Sequence, residues 1–205
     1  MKKKLLSIAF AVCCAMAVNA QYVSDPTENT KVTESISNYG NDAVVSKDGI
    51  LYSIQRIPGH DDDGTNRLAY NLQVLDKEGN RLLPEGGVQI CNEINFSYVV
   101  VNDVLYADND GNCIVMVSDC RYSPKSDMHR NYTVYKYGPD GKMLWDSGVS
   151  MCDDVADGDG AMLNVTQVAD GGYVFTYEVF SDELGKSYIR MEKLTYDARR
   201  PGTIR

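Results

Sequence analysis

The stretch YTVYKYGPDGKMLWDSGVSMC, Tyr132 to Cys152, repeats in tidier form the stretch NLQVLDKEGNRLLPEGGVQIC, Asn71 to Cys91. Leu75 to Gly79 align with Tyr137 to Gly141 at an offset of 62 residues; beyond the turn, Val88 and Cys91 align with Val149 and Cys152 at 61, a slip of one residue. A degraded third copy, IRMEKLTYDAR, places Asp197-Ala198 where the middle copy has Asp140-Gly141. A second element precedes each copy: VVSKDGILYSIQR at Val44, VLYADNDGNCIVMVSDCR at Val104 and VTQVADGGYVFTYEVF at Val165. Its Asp-Gly pairs, at Asp48, Asp110 and Asp170, stand 62 and 60 residues apart. Short β-branched and aromatic runs on either side of Asp-Gly signal hairpins, because glycine supplies the positive φ that tight turns need. Each unit therefore reads as strand a, an Asp-Gly turn, strand b, a long loop, strand c, a second glycine turn and strand d. No long stretch has helical periodicity.

Four-stranded units of this length cannot bury both faces alone, and stacking them around an axis makes the blades of a propeller. The fold class expected is all-β: antiparallel four-stranded blade repeats in an incomplete β-propeller-like array of about three blades. Its units span residues 41–91, 98–152 and 161–198, after a polar lead-in over 21–40 and before a tail over 199–205. The middle unit resembles blade repeats of secreted bacterial proteins with the pattern D-x-R…Q-[KR]-L-D-x-x-G-x-x-L-W-x-x-G-V. It does so through Asp119, Arg121, Tyr132, Lys136, Asp140, Gly141, Leu144, Trp145, Gly148 and Val149. The resemblance implies a β-propeller-like architecture, an extracytoplasmic habitat and a blade-wedging duty for Trp145. Closed propellers take about four to eight blades, so three copies predict a piece of a longer protein, an open twisted array, or self-association that completes the ring.

The first twenty residues, MKKKLLSIAFAVCCAMAVNA, have the three parts of a secretory signal: Lys2 to Lys4, an apolar run from Leu5 to Val18, and a small-residue cleavage pattern ending at Ala20. No cysteine has the neighbours that lipid anchoring requires, and no later run reaches the ~20 apolar residues of a membrane helix. The destination expected is the periplasm, the cell surface or the medium. Loss of the signal's three lysines takes the formal charge from −9 to −12, which repels nucleic acid and anionic membrane. With 43% hydrophobic and 24% charged residues the chain is of globular composition, not a disordered one. Cys91, Cys113, Cys120 and Cys152 remain after cleavage. Cys113 and Cys120 are separated along one strand by about 23 Å, so a disulfide, if one forms, is expected between Cys120 and Cys152; buried free thiols are the alternative.

In an a-b-c-d blade the two hairpin turns lie at one end, and the b-c loops and d-to-a connections at the other. The b-c loops read as IPGHDDDGTNRLA, YSPKSDMHR and FSDELGKS, and CDDVADGDG is a d-to-a connection. That end gathers His60, Asp61, Asp63, Arg67, His129, Arg130, Asp153, Asp154, Asp157 and Asp159, and Asp119 and Arg121 of the repeat motif join them as candidate binding residues. Loops on a rigid sheet scaffold are where binding groups collect. Three Asp-x-Asp-Gly strings, at Asp61, Asp108 and Asp157, suggest Ca²⁺. A helix-flanked calcium loop, however, needs an oxygen ligand two places before and a glutamate six places after the glycine, where these strings have Gly59, Tyr106 and Val155, then Tyr70, Val117 and Thr166. Turn chemistry explains them better, although DDVADGDG offers an irregular set of oxygens to a cation. The two histidines lack the partners of a zinc site, and no nucleophile elbow, P-loop or dinucleotide fingerprint occurs.

No cofactor is expected beyond that possible Ca²⁺. Trp145 and the tyrosines are suited to stacking on sugars, but packing between blades is their expected duty. The function expected is an exported, noncatalytic module that binds a glycan, a protein or a cation through an acidic loop face. A fragment of a propeller-type glycosidase or lyase is the alternative from another class, and a structural spacer of a cell-envelope protein is a third.

Overall fold

The computed structural model of the chain describes residues 41–60, 66–95, 103–119, 131–151, 163–181 and 185–200. Among the described residues every regular element is a strand: β1 (Asn41–Val45), β2 (Leu51–His60), β3 (Asn66–Leu75), β4 (Val88–Asn95), β5 (Asp103–Ala107), β6 (Cys113–Asp119), β7 (Asn131–Tyr137), β8 (Val149–Ser150), β9 (Asn164–Gln167), β10 (Tyr173–Ser181) and β11 (Lys186–Leu194). They form antiparallel sheets ordered β1-β2-β3-β4, β5-β6-β7-β8 and β9-β10-β11. These are the three repeat units in order, and the expected all-β blade architecture is what the chain adopts; the third sheet has three strands among the described residues.

The six hairpin turns share one local construction. In each, the first residue's N–H donates to the carbonyl of the fifth, and the fourth residue's N–H donates back to the carbonyl of the first, as Asp108 N to Asn112 O at 2.8 Å and Gly111 N to Asp108 O at 3.1 Å. Such a three-residue loop is a type I turn closed by a left-handed residue in a bulge. Five turns put glycine there, and the sixth puts Ala198, at φ 67°. A polar side chain at the first position tightens several of them: Asp76 Oδ1 accepts from the N–H groups of Glu78 and Asn80, and Asp108 Oδ1 from those of Asp110 and Asn112. The one-residue slip between the first two units is absorbed before β4, in the turn where Gly87 N–H donates to Pro84 O. Gly87 has φ 71°, and a Cβ there would lie 2.1 Å from the carbonyl oxygen of Leu72.

Sheet 2 is the centre of the molecule, because its pleat feeds two cores. From β6, Cys113, Val115 and Val117 join Tyr52, Ile54, Leu72 and Val74 of sheet 1. The alternate residues Ile114 and Met116 join Tyr173, Phe175, Tyr177 and Val179 of sheet 3. Period-two alternation, which on a sheet with one wet face separates apolar from polar residues, here divides one apolar strand between two interfaces. The first strands β1, β5 and β9 are successive neighbours, so the blades stack in one sense and their turns share an end. Leu83 and Trp145 are repeat equivalents, 8% and 7% exposed, and each wedges the junction to the next blade.

One expectation needs correction. The sequence places the first b-c loop over Ile57 to Ala69. The strands instead run on until His60 pairs with Asn66, which makes His60 and Arg67 strand residues. Within this extension Ile57 pairs with Ala69, Pro58 with Leu68 and Gly59 with Arg67. By the same continuation Ser181 pairs with Lys186, and the third b-c loop is shorter than FSDELGKS.

Candidate functional site

At the loop end the described strand tips are His60, Asn66, Asp119, Asn131, Ser181 and Lys186. The backbones of His60, Arg67 and Asp119 are placed there; Asp61, Asp63, Arg121, His129, Arg130, Asp153, Asp154, Asp157 and Asp159 lie outside the described residues. Cys120 and Cys152 do as well. Cys113 is a buried free thiol, and burial pushes its pKa far above the usual thiol value, so it is a packing group and not a nucleophile.

Polar contacts tie successive blades to one another. Tyr52 Oη donates to Gly111 O, a turn carbonyl of the next blade. Arg56 forms a two-pronged pair with Asp103, one arm at 2.9 Å from Nε to Oδ2. The most buried cluster joins blades 2 and 3. Lys136 Nζ lies 3.3 Å from Asp108 Oδ2, with side-chain exposures of 1% and 0%. Tyr173 Oη donates to the same oxygen at 2.8 Å, and Lys136 sits 3.3 Å from the ring centroid of Tyr196.

Burial opposes charge on Asp108, but the N–H of Asn112, the Tyr173 hydroxyl and Lys136 outweigh it and hold the carboxyl below its ordinary range. Burial lowers the Lys136 ammonium despite Asp108 beside it. Burial, reinforced by the bond to Asp108, keeps the Tyr173 phenol protonated. These groups satisfy one another, so the cluster is a lock between blades. It also accounts for the Asp108 string, whose carboxylate serves its own turn, Tyr173 and Lys136. Among the described residues, no three His, Cys, Asp or Glu side chains are grouped to hold a metal ion.

A crevice of about 460 Å³ opens at the turn end, between the c-d turns of blades 2 and 3. Leu144, Trp145, Asp146, Ser147, Asp197 and Arg199 line it, together with Val149 and Ala198. Trp145 is fixed at its back: Nε1 donates to Tyr196 O at 3.1 Å, and the indole meets Tyr173 edge-on. Sequence reasoning put candidate binding residues at the opposite end and missed this one. The available signal was the Asp-Ala in place of Asp-Gly at Asp197.

The fold and its interfaces define an all-β repeat protein of stacked antiparallel blades. No protein-family model matches the chain, and no curated protein matches it in sequence. Among solved structures it is similar to the endo-arabinase from Bacteroides thetaiotaomicron VPI-5482, with 13% identity and a TM-score of 0.43, over 87% of this chain and 66% of that one. The chain thus spans just under two thirds of that structure's length. Among the described residues no helix is long and apolar enough to cross a membrane.

Proposed function

We propose that this is an exported, noncatalytic binding module that presents the acidic loop end of its stacked blades to a glycan, a protein or a cation outside the cytoplasm. The observation supporting this reading is the common orientation of the sheets. Their first strands neighbour one another, and turn-to-sheet bonds such as Tyr52 Oη to Gly111 O and Asn109 N to Gln167 Oε1 tie successive blades at the same end. The strand tips that carry the acid-rich b-c segments are therefore anchored together at the other end, on a rigid scaffold suited to recognition.

Isothermal titration of residues 21–205 against a glycan panel and against Ca²⁺ tests the reading. Binding is expected, and replacing Asp153, Asp154, Asp157 and Asp159 together by Asn should abolish it. Release of shortened oligosaccharides from any panel member would instead establish catalysis. Self-association that completes the ring belongs to the same proposal: light scattering on residues 21–205 is expected to give a dimer, and a monomer at all concentrations removes that part.

A further inference from the structure

We infer that the crevice between the c-d turns of blades 2 and 3 is a binding site for a neutral saccharide. The inference stands on the turn end alone and does not rest on the loop-end reading. Its volume, about 460 Å³, falls within the ~300–1,000 Å³ of small-molecule sites.

The sister junction shows what is unusual here. Between blades 1 and 2 the positions equivalent to Asp197, Ala198 and Arg199 are Asp140, Gly141 and Lys142. Asp140 and Lys142 pair with each other at 2.7 Å. Leu83 lies directly against Gly141, where a Cβ would come within 2.5 Å of it. Between blades 2 and 3, Asp146 and Ser147 replace Pro84 and Glu85. Asp146, Asp197 and Arg199 line the crevice, and Asp197 also acts at longer range on the Lys136 ammonium. Ala198, in the same wall, holds a left-handed backbone at φ 67° that glycine adopts in the other five turns. A non-glycine residue in that region is strained by about 1–2 kcal/mol, and retained strain of this kind gathers at binding and catalytic sites.

The charges select the ligand's class. Two carboxylates disfavour an anion, and the guanidinium disfavours a cation. A neutral molecule rich in hydroxyls suits all three, because each hydroxyl donates to a carboxylate and accepts from Arg199 or Ser147. Leu144, 48% exposed, and the edge of the fixed Trp145 offer an apolar wall to the C–H face of a sugar ring.

Trp145 is the chain's single tryptophan, so its fluorescence reports on this crevice directly. Residues 21–205 would be titrated with neutral mono- and oligosaccharides, with CaCl₂ and with an acidic oligosaccharide. At least one neutral sugar is expected to shift the Trp145 emission, and Asp197→Asn or Arg199→Ala, both at exposed positions, should weaken that binding about tenfold, equivalent to ~1.4 kcal/mol. Glu78→Gln, at an exposed turn of blade 1 outside both candidate sites, should leave it unchanged. No response to any neutral sugar up to about 10 mM, the weak limit of useful affinity, would overturn the inference. So would a response to Ca²⁺ or the anion alone, or sugar binding that survives both crevice variants.

Discussion

Lys136 holds a positive charge at 1% exposure, with Asp108 its nearest counter-charge. Removing one partner of a buried pair leaves the other uncompensated, at a cost of about 3–5 kcal/mol. Lys136→Met, which keeps the stem and deletes the charge, is therefore expected to lower the unfolding free energy by about 3 kcal/mol in urea. A loss under about 1 kcal/mol, the range of an exposed pair, would show that the pair is not a lock. Because the Asp108 carboxyl is held below its ordinary value, its stabilising effect is complete above the unfolded-chain pKa of about 3.9 and is lost as pH falls through the folded-state value. Asp103 has the opposite sign: burial raises its pKa despite Arg56, so the folded state takes up that proton first. Comparing variants separates the two, and Asp108→Asn should flatten the acid limb of stability against pH. A second residue-scale prediction concerns Ala198, left-handed at φ 67°. Ala198→Gly should raise stability by about 1 kcal/mol, read as a higher urea midpoint at an unchanged slope; a lower midpoint would contradict the strain.

Within the elements, the wedges are the informative comparison. Leu83 and Trp145 occupy the same position of successive blades, and each seals the junction to the next. Truncating them should cost about 2–5 kcal/mol for Leu83→Ala and about 3–5 kcal/mol for Trp145→Ala. The indole carries an extra obligation, since its loss leaves Tyr196 O without its donor. Trp145→Phe should recover the packing but not that bond, and so fall between wild type and Trp145→Ala in thermal midpoint. Equality of Phe and Ala would mean that the hydrogen bond, not the packing, carries the contribution. Much of this was legible beforehand: the resemblance to bacterial blade repeats implied a wedging duty for Trp145, and the Asp-Gly pairs marked the turns. The extent of β2 was not, because Pro58-Gly59 has the same local chemistry in a turn and in a strand, and only the long-range pairing of Ile57 to His60 with Asn66 to Ala69 reveals the strand.

For the whole molecule, the division of β6 between two cores has a thermodynamic consequence. Blade 2 contributes buried residues to both interfaces, so neither outer blade can lose its contacts without uncovering one of its faces. Unfolding of residues 21–205 is expected to be a single transition, with Trp145 fluorescence and far-UV circular dichroism superimposing. Val115→Ala at the first interface and Phe175→Ala at the second should each move both curves together. Two separated transitions, or a variant that moves one probe alone, would show that the blades fold independently.

The sequence by itself determined the hairpins, their order and the irregular sixth turn, because turn chemistry is local: a glycine's positive φ and an aspartate's bond to nearby N–H groups act within five residues. It also carried the repeated β-branched and aromatic runs around glycine turns from which the all-β blade class follows. The tertiary structure alone decided which apolar residues of β6 face which neighbour, why Lys136 is buried, and that Asp146 and Ser147 meet Asp197 and Arg199 across a crevice. Those outcomes depend on how sheets some 60 residues apart in the chain stack against one another. A side chain's burial and its partners belong to that stacking, which no short stretch of sequence encodes.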